Sequence, residues 1–401
     1  MKKYKYRAMK SDGKKLEEQF EANSREEVVS MITSLGYYPL KIEEVKESVG
    51  SKEIKFNKKI TLKDLALFCR QMHTMLDAGI SITSTLDMLS TQVTNSKLRG
   101  IIADMEDDVK KGEMLSTSMK KYEKDFPALL ISMVESGEAS GNLDEMMLRM
   151  AEHFEKEFKI NNKVKSAMIY PIAIAIIAVV AVIVIMVFVM PTFKEIFNTE
   201  GLDLPGLTEA LLALSDFMAN YILYILIVLA GIIFGIFQFK KTSKGYEFFS
   251  KMKLTLPVIN NLTAKIITSR FTRTLSTLLS SGISIVDAMP IVSGVLRNKL
   301  AEDDMEKIKE RVVKGDGLSD PIRESVVFPT LLASMIKVGE ETGALDDMLV
   351  KTADFYDEEV DQAIQNATSM IEPILIVCMG VVIGTLILAI ILPMFDMYSQ
   401  L

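Results

Sequence analysis

Residues 68–89 read FCRQMHTMLDAGISITSTLDML and residues 271–292 read FTRTLSTLLSSGISIVDAMPIV, one stretch written twice in the same chain. Phe68, Arg70, Gly79, Ile80, Ser81 and Ile82 return 203 positions later as Phe271, Arg273, Gly282, Ile283, Ser284 and Ile285. Outward from it the match continues. Lys111-Gly112 returns as Lys314-Gly315, Phe126-Pro127 as Phe328-Pro329, and MVESGEASGNLDEM (133–146) as MIKVGEETGALDDM (335–348), now at an offset of 202. It then enters apolar sequence, where Tyr170-Pro171 aligns with Glu372-Pro373 and Pro191 with Pro393. Each copy is a polar helical module followed by an apolar span.

Charge distribution sets the membrane content. No charged residue occurs from Ser166 through Phe193, from Phe217 through Phe239, or from Pro373 through Phe395. At about 1.5 Å per residue each window covers a hydrocarbon core of roughly 30 Å, which predicts three transmembrane helices. The lysines then orient them. Lys156, Lys159, Lys163 and Lys165 precede the first span, and Lys240, Lys241, Lys244, Lys251 and Lys253 follow the second. The segment 194–216 holds one lysine against five acids. Lysine-rich sides are cytoplasmic, so both modules are expected in the cytosol. The acids before the third span, Asp357, Glu358, Glu359 and Asp361, point the other way but weigh little in this rule.

The reading is therefore an all-α membrane protein with two homologous cytoplasmic helical bundles of about six helices each, three transmembrane helices and a small N-terminal ββαβ domain. The boundaries expected are 1–45 for that domain, 46–57 for a linker, 58–166 for the first bundle and 167–190 for the first span. An outer loop follows over 191–216, then a span over 217–239, the second bundle over 240–371, a third span over 372–395 and an outer tail over 396–401. In the N-terminal domain Ser24-Arg-Glu-Glu27 forms a capping box, opening a helix with Val28, Val29, Ile32 and Leu35 inward. Strands over 4–8, 16–22 and 38–42 complete it, the first two around a Ser11-Asp12-Gly13 turn, as a docking module or a stabilising cap. In the first bundle Thr61 and Asp64 cap a helix with Leu62, Leu65, Cys69, Met72, Met75 and Leu76 at helical spacing, ended by Gly79. A helix over 127–136 is expected to stop at Gly137, and one that restarts near Asn142 can continue through Phe154 and Phe158 directly into the membrane.

Several residues could carry chemistry. Gly137 with Gly141, and Gly339 with Gly343, bracket a turn before helices whose first turns hold Asp144 and Asp346. This reads as a turn between packed helices, or as a surface for a cytosolic partner, or as a cation site of Glu138, Asp144 and neighbours; Glu340 and Asp346 are the equivalents in the second copy. The prolines of Tyr170-Pro171 and Glu372-Pro373 read as first-turn prolines that open the spans. Glu372 sits at the membrane edge with no acid–base partner in view. Gly231 with Gly235, and Gly380 with Gly384, form small-residue faces for close helix packing, within one subunit or between subunits.

Other classes find little support. The spans hold no ionisable side chain of the kind that ion-coupled transport uses. There is no phosphate-binding Gly-x4-Gly-Lys loop and no Cys-x2-Cys, so no cofactor, metal or catalytic residue is expected. His73 and His153 lack counterparts in the other repeat, where Ser276 and Phe355 stand, and read as satisfied or surface histidines. Cys69 and Cys378 read as free thiols, and a basic N-terminus with no apolar run behind it argues against a cleaved signal. A net charge of −7 argues against general nucleic-acid binding. A membrane receptor or adaptor would share the topology but would want a larger outer domain.

These residues together resemble the type II secretion F family, whose members include inner-membrane platform proteins of type IV pilus and type II secretion machines. The marks are Phe68-x-Arg70-Gln71-Met72, AGISI at 78–82, SGEASGNL at 136–143, and Lys163-Val164-x-x-Ala167-Met168-x-Tyr170-Pro171. Glu372 departs from the family's usual hydroxyl or tyrosine-type residue, and Ser81 and Ser284 from a common proline. The resemblance implies a non-enzymatic scaffold in the bacterial inner membrane. Its implied partners are a hexameric assembly ATPase, with a retraction ATPase as a further candidate, pilin or pseudopilin subunits, other inner-membrane assembly proteins, the lipid bilayer and further copies of itself. Pilus assembly is the preferred reading, on the character of the outer segment, with type II secretion the alternative.

Overall fold

The computed structural model describes residues 2–10, 15–22, 24–34, 36–44, 59–200 and 204–399. The 46–57 linker, the Ser11-Asp12-Gly13 turn and Leu35 lie outside the described residues. The chain divides into two units, 1–58 and 59–401.

In the first unit β1 (Lys2–Lys10), β2 (Lys15–Ala22) and β3 (Tyr37–Glu44) form an antiparallel sheet ordered β2-β1-β3, with α1 (Arg25–Ser34) between β2 and β3. Alternate residues Tyr4, Tyr6 and Ala8 of β1 face Val28 and Ile32 of α1, the period-2 pattern meeting the helical one. Val29 is only half-buried. The Ser24 hydroxyl accepts from the Glu27 N–H at 3.3 Å, capping α1. Pro39 lies in β3, an edge strand, beside an irregularity in the β1 pairing; an edge is where a residue without an N–H is tolerated.

The second unit begins with the Thr61–Asp64 capping box, in which each side chain satisfies the other's backbone N–H. Six helices make the first bundle: α2 (Leu62–Asp77), α3 (Ile82–Gln92), α4 (Ser96–Lys110), α5 (Leu115–Lys120), α6 (Ala128–Ser140) and α7 (Leu143–Val184). A π-turn at Ile185–Val189 leads into α8 (Met190–Glu200), α9 (Gly206–Phe239) and α10 (Ser243–Thr255). The second bundle repeats the first as α11 (Pro257–Leu279), α12 (Ile285–Leu296), α13 (Lys299–Val313), α14 (Ser319–Glu324), α15 (Thr330–Thr342) and α16 (Leu345–Ser399). In both copies the first helix lies along the last, α2 on α7 and α11 on α16.

Four boundaries differ from the sequence reading, each for a physical reason. Gly137 does not end α6, which runs on to Ser140; Gly141 ends it, at φ 77°, as Gly343 ends α15 at φ 68°. Pro171 and Pro373 do not begin helices but lie inside the continuous α7 and α16. The helical backbone continues through the passage from water to lipid, each proline removing one bond of the ladder without ending the helix. The segment 191–216, read as an outer loop, is mostly helical, with α8 reaching Glu200 and α9 starting at Gly206. The backbone of α16 likewise continues to Ser399, into the segment read as a tail.

The far prolines, Pro191 and Pro393, are also inside helices, and α9 answers both. Pro393 has no N–H for the Ala389 carbonyl, and the buried Thr208 hydroxyl donates to that oxygen at 2.7 Å. Ahead of Pro191 the ladder slips to the π register, Met190 N–H reaching Ile185 C=O. The next donor in that register would come from residue 191, and the Ser215 hydroxyl donates to the Met186 carbonyl instead, at 2.5 Å. Met186, Met190, Leu212 and Leu386 pack around these bonds, and Lys194 pairs with Asp216 at 2.5 Å. At about 1.5 Å per residue α7 is about 63 Å long and α16 about 82 Å. They are about two and nearly three times as long as a bilayer core of roughly 30 Å needs, so one continuous element belongs to both bundle and span.

Candidate functional site

The repeated motifs build the bundles. Phe68 meets Phe126 with ring centroids 6.2 Å apart, and Phe271 meets Phe328 at 4.9 Å, an aromatic pair at the centre of each copy. Gly79 and Gly282 close α2 and α11 in the left-handed conformation, and the Ser81 and Ser284 hydroxyls cap the next helices. Pro127 and Pro329 stand at the N-caps of α6 and α15. Arg70 grips Glu155 through two bonds of 2.8 and 3.1 Å, tying α2 to α7. Arg273 holds the equivalent acid, Asp357, at 2.5 Å and Asp354 at 3.0 Å, tying α11 to α16.

The SGEASG glycines and acid have equally definite tasks. A Cβ on Gly137 would lie 2.9 Å from the Leu143 Cα, and one on Gly339 2.9 Å from the Leu345 Cα, so two helix backbones touch at each glycine. The Glu138 carboxylate accepts the N–H groups of Leu115 (2.6 Å) and Ser116 (3.0 Å), capping α5 from a distance of more than twenty residues in the chain. Glu340 accepts from Leu318 and Ser319 in the same way. Both carboxylates are thereby engaged in capping a helix of their own bundle. Asp144 and Asp346 lie in the first turns of α7 and α16, where the helix dipole favours them. Among the described residues no group of three or more His, Cys, Asp or Glu side chains is placed to hold a metal ion.

Residues that mostly differ between the copies meet where the two join, around Glu157, which both copies carry. Arg270 of α11 reaches Glu157 of α7 at 2.9 Å, and their side chains are only 13% and 11% exposed. Arg297, which ends α12 with φ 53°, adds a second contact to Glu157 at 3.5 Å. The Ser136 hydroxyl donates to Ser281 C=O at 3.0 Å, Lys156 pairs with Asp354 at 3.3 Å, and Lys163 pairs with Asp361. Burial lowers the pKa of Arg270 against the pull of Glu157. His153 faces the same joint across a cleft of about 200 Å³ that Arg149, Glu152, Arg273 and Asp354 also line. It is neither satisfied nor at the surface, for its ring is buried and its Nδ1 has no hydrogen-bond partner. His73, by contrast, bonds the Asp144 carbonyl through Nδ1 at 2.9 Å.

Burial pushes His153 down from 6.5 to about 4, with Glu157 opposing and Arg273, Arg270 and Arg297 adding to the fall. The unfolded chain therefore takes up a proton near pH 6.5 that the folded chain refuses until about pH 4. Stability contributed by the neutral ring is present above pH 6.5 and declines between those values, by up to about 3 kcal/mol. Replacing His153 with the residue of the other copy, His153→Phe, is expected to leave the melting temperature near wild type at pH 7.5. Below pH 6 the variant should be the more stable of the two; parallel melting curves from pH 4 to 7.5 would show no such divergence if the ring were accessible.

Two segments, 68–191 and 271–393, match the family described as type II secretion system (T2SS), protein F, and residues 1–43 match its N-terminal domain. The chain is 35% identical to the type IV pilus assembly protein PilC of Thermus thermophilus, over 99% of this chain and 98% of that protein. It is 33% identical to the PilC of Myxococcus xanthus, covering 98% and 94% respectively. With the type II secretion system protein F of Xanthomonas campestris it shares 30% identity over 99% of each. The chain belongs to the type II secretion system protein F family. The two family segments begin at Phe68 and Phe271, the core aromatics, and end at Pro191 and Pro393, the prolines that α9 completes. Each thus takes in one bundle and the span that grows from it.

In this family member three helices are long and apolar enough to cross a membrane, within 143–196, 206–239 and 345–395. The Gly231, Gly235, Gly380 and Gly384 faces of the spans make no close helix contact among the described residues, since a Cβ at any of them would meet nothing within 4 Å. The joint of Arg270, Glu157 and His153 escaped the sequence reading. Its signal was the places where the copies disagree: Arg270 stands where the first copy has Leu67, and His153 where the second has Phe355.

Proposed function

We propose that this chain is the inner-membrane platform of a type IV pilus assembly machine. It couples a cytoplasmic hexameric ATPase to the insertion of pilin subunits from the bilayer into a growing fibre. The observation that carries this is the continuity of α7 and α16 from the bundles into the apolar spans, with the bundles locked by Arg270 and Glu157. A push on either bundle then moves the base of two spans together. The lysine bias supports cytoplasmic bundles, where an ATPase would find them. The open glycine faces support self-association or contact with pilin helices in the membrane. Higher identity to proteins named for pilus assembly than to those named for type II secretion favours the pilus.

A type II secretion F protein, driving a pseudopilus for protein export, is the second reading, favoured by the family's own description. Deleting the gene and counting surface pili while assaying exported proteins separates the two. Lost pili with intact export is the expected result, and lost export alone would assign the protein to secretion. Persistence of both, with no second copy of the gene, would return the protein to the receptor or adaptor class.

A further inference from the structure

Where α7 and α16 leave the bundles, a cleft of about 400 Å³ lies between them, with Pro171 on one side and Glu372, the residue before the equivalent Pro373, on the other. Ala167, Tyr170, Pro171, Ser369, Glu372 and Leu375 are among the residues that line it. Its polar chemistry is unbalanced. Pro171 and Pro373 have no N–H, so the carbonyls of Ala167 and Ser369 lose their helical donors. The hydroxyls that could replace them are spent on their own helix, Thr368 on Ile364 C=O at 2.8 Å and Ser369 on Asn366 C=O at 3.0 Å. Glu372 makes no hydrogen bond or ion pair with any described residue, and no lysine or arginine lines the cleft. An unpaired carboxylate at the edge of an apolar span calls for a cation.

We propose that this cleft binds a phospholipid whose headgroup carries a primary ammonium. The ammonium sits on Glu372 and offers its remaining N–H groups to the two freed carbonyls. The Tyr170 hydroxyl and the Gln365 amide, which also line the cleft, serve the phosphate, and Leu375 with Pro171 receives the first carbons of the acyl chain. Size favours a lipid over a protein helix. A cylinder about 10 Å across fills this volume in roughly one turn, whereas small ligands occupy sites of about 300–1,000 Å³. An anionic lipid would want lysine or arginine instead. The site does not depend on which machine the platform serves.

The test uses the full chain in detergent micelles, titrated with phosphatidylethanolamine, phosphatidylcholine and phosphatidylglycerol of identical acyl chains, with retained lipid counted by native mass spectrometry. One phosphatidylethanolamine per chain should bind about tenfold more tightly than phosphatidylcholine, whose quaternary ammonium has no N–H to donate. Glu372→Gln should bring it down to the phosphatidylcholine level while leaving the weak binding of the other lipids unchanged, which also reports that the variant is folded. Ser369→Leu, which fills the cleft without touching the carboxylate, should have the same effect. Equal retention of phosphatidylethanolamine by wild type and Glu372→Gln, or equal binding of all three lipids, overturns the proposal. So does a lysine-tipped helical peptide that binds wild type and not Glu372→Gln while no lipid distinguishes the two.

Discussion

Arg270→Ala is expected to destabilise the chain by about 3 kcal/mol and to loosen the two bundles from each other. Removing one partner of a buried ion pair leaves the other charge buried, at a cost of about 3–5 kcal/mol. The lower end applies because Arg297 remains 3.5 Å from Glu157. The bundles should keep their helices, since Arg270 lies outside the Phe271–Phe328 core of its own copy. Circular dichroism should therefore stay near wild type while the melting temperature falls and hydrogen exchange rises in α7 and α11 at the joint. The double variant Glu157→Leu with Arg270→Leu should recover most of the loss, because a buried pair exchanged for packed apolar side chains is often neutral. A single variant as stable as wild type would mean that the joint is open to water.

Gly137→Val is expected to be destabilising by about 3 kcal/mol, at the upper end of overpacking costs. The added Cβ alone would stand 2.9 Å from both the Leu143 Cα and the Met146 Cγ. Met146 can turn away, but the Leu143 Cα is backbone and moves only with α7. Valine's advantage over glycine in a helix is a few tenths of a kcal/mol, too small to offset the clash. Since α7 carries both the bundle and the first span, the strain should reach the membrane half of the helix. Chemical denaturation of Gly137→Val and of Gly339→Val would measure it, and the two should match because the same contact occurs in both copies. Wild-type stability in either would contradict the close approach.

The repeat made the broad architecture legible, because one unit seen twice separates signal from accident: helical spacing, capping serines and span all recur. Punctuation was less reliable. Glycine marks both a helix that stops and a helix that is touched, and only the neighbour at Leu143 distinguishes Gly137 from Gly141. The run of helix from near Asn142 into the membrane was legible, but the proline at the start of the apolar run suggested a break or bend at Pro171, where α7 is continuous. The acidic segment after Pro191 read as a loop because it leaves the lipid, though its residues continue as helix. The partners of the proline-orphaned carbonyls, Thr208 and Ser215, come from the first turns of another helix, α9, and leave no local trace. The joint was written in the mismatches between copies, where each repeat presents a different face.

The account rests on the stiffness of the link between bundle and span, and an insertion tests it most directly. Four flexible residues, Gly-Gly-Ser-Gly, placed between Lys165 and Ser166 would uncouple the first bundle from the first span while leaving each intact. Expressed in the deletion strain at wild-type abundance and inserted in the membrane, this chain is predicted to restore no surface pili by electron microscopy. Pili at wild-type numbers would contradict a platform that transmits motion through its continuous helices.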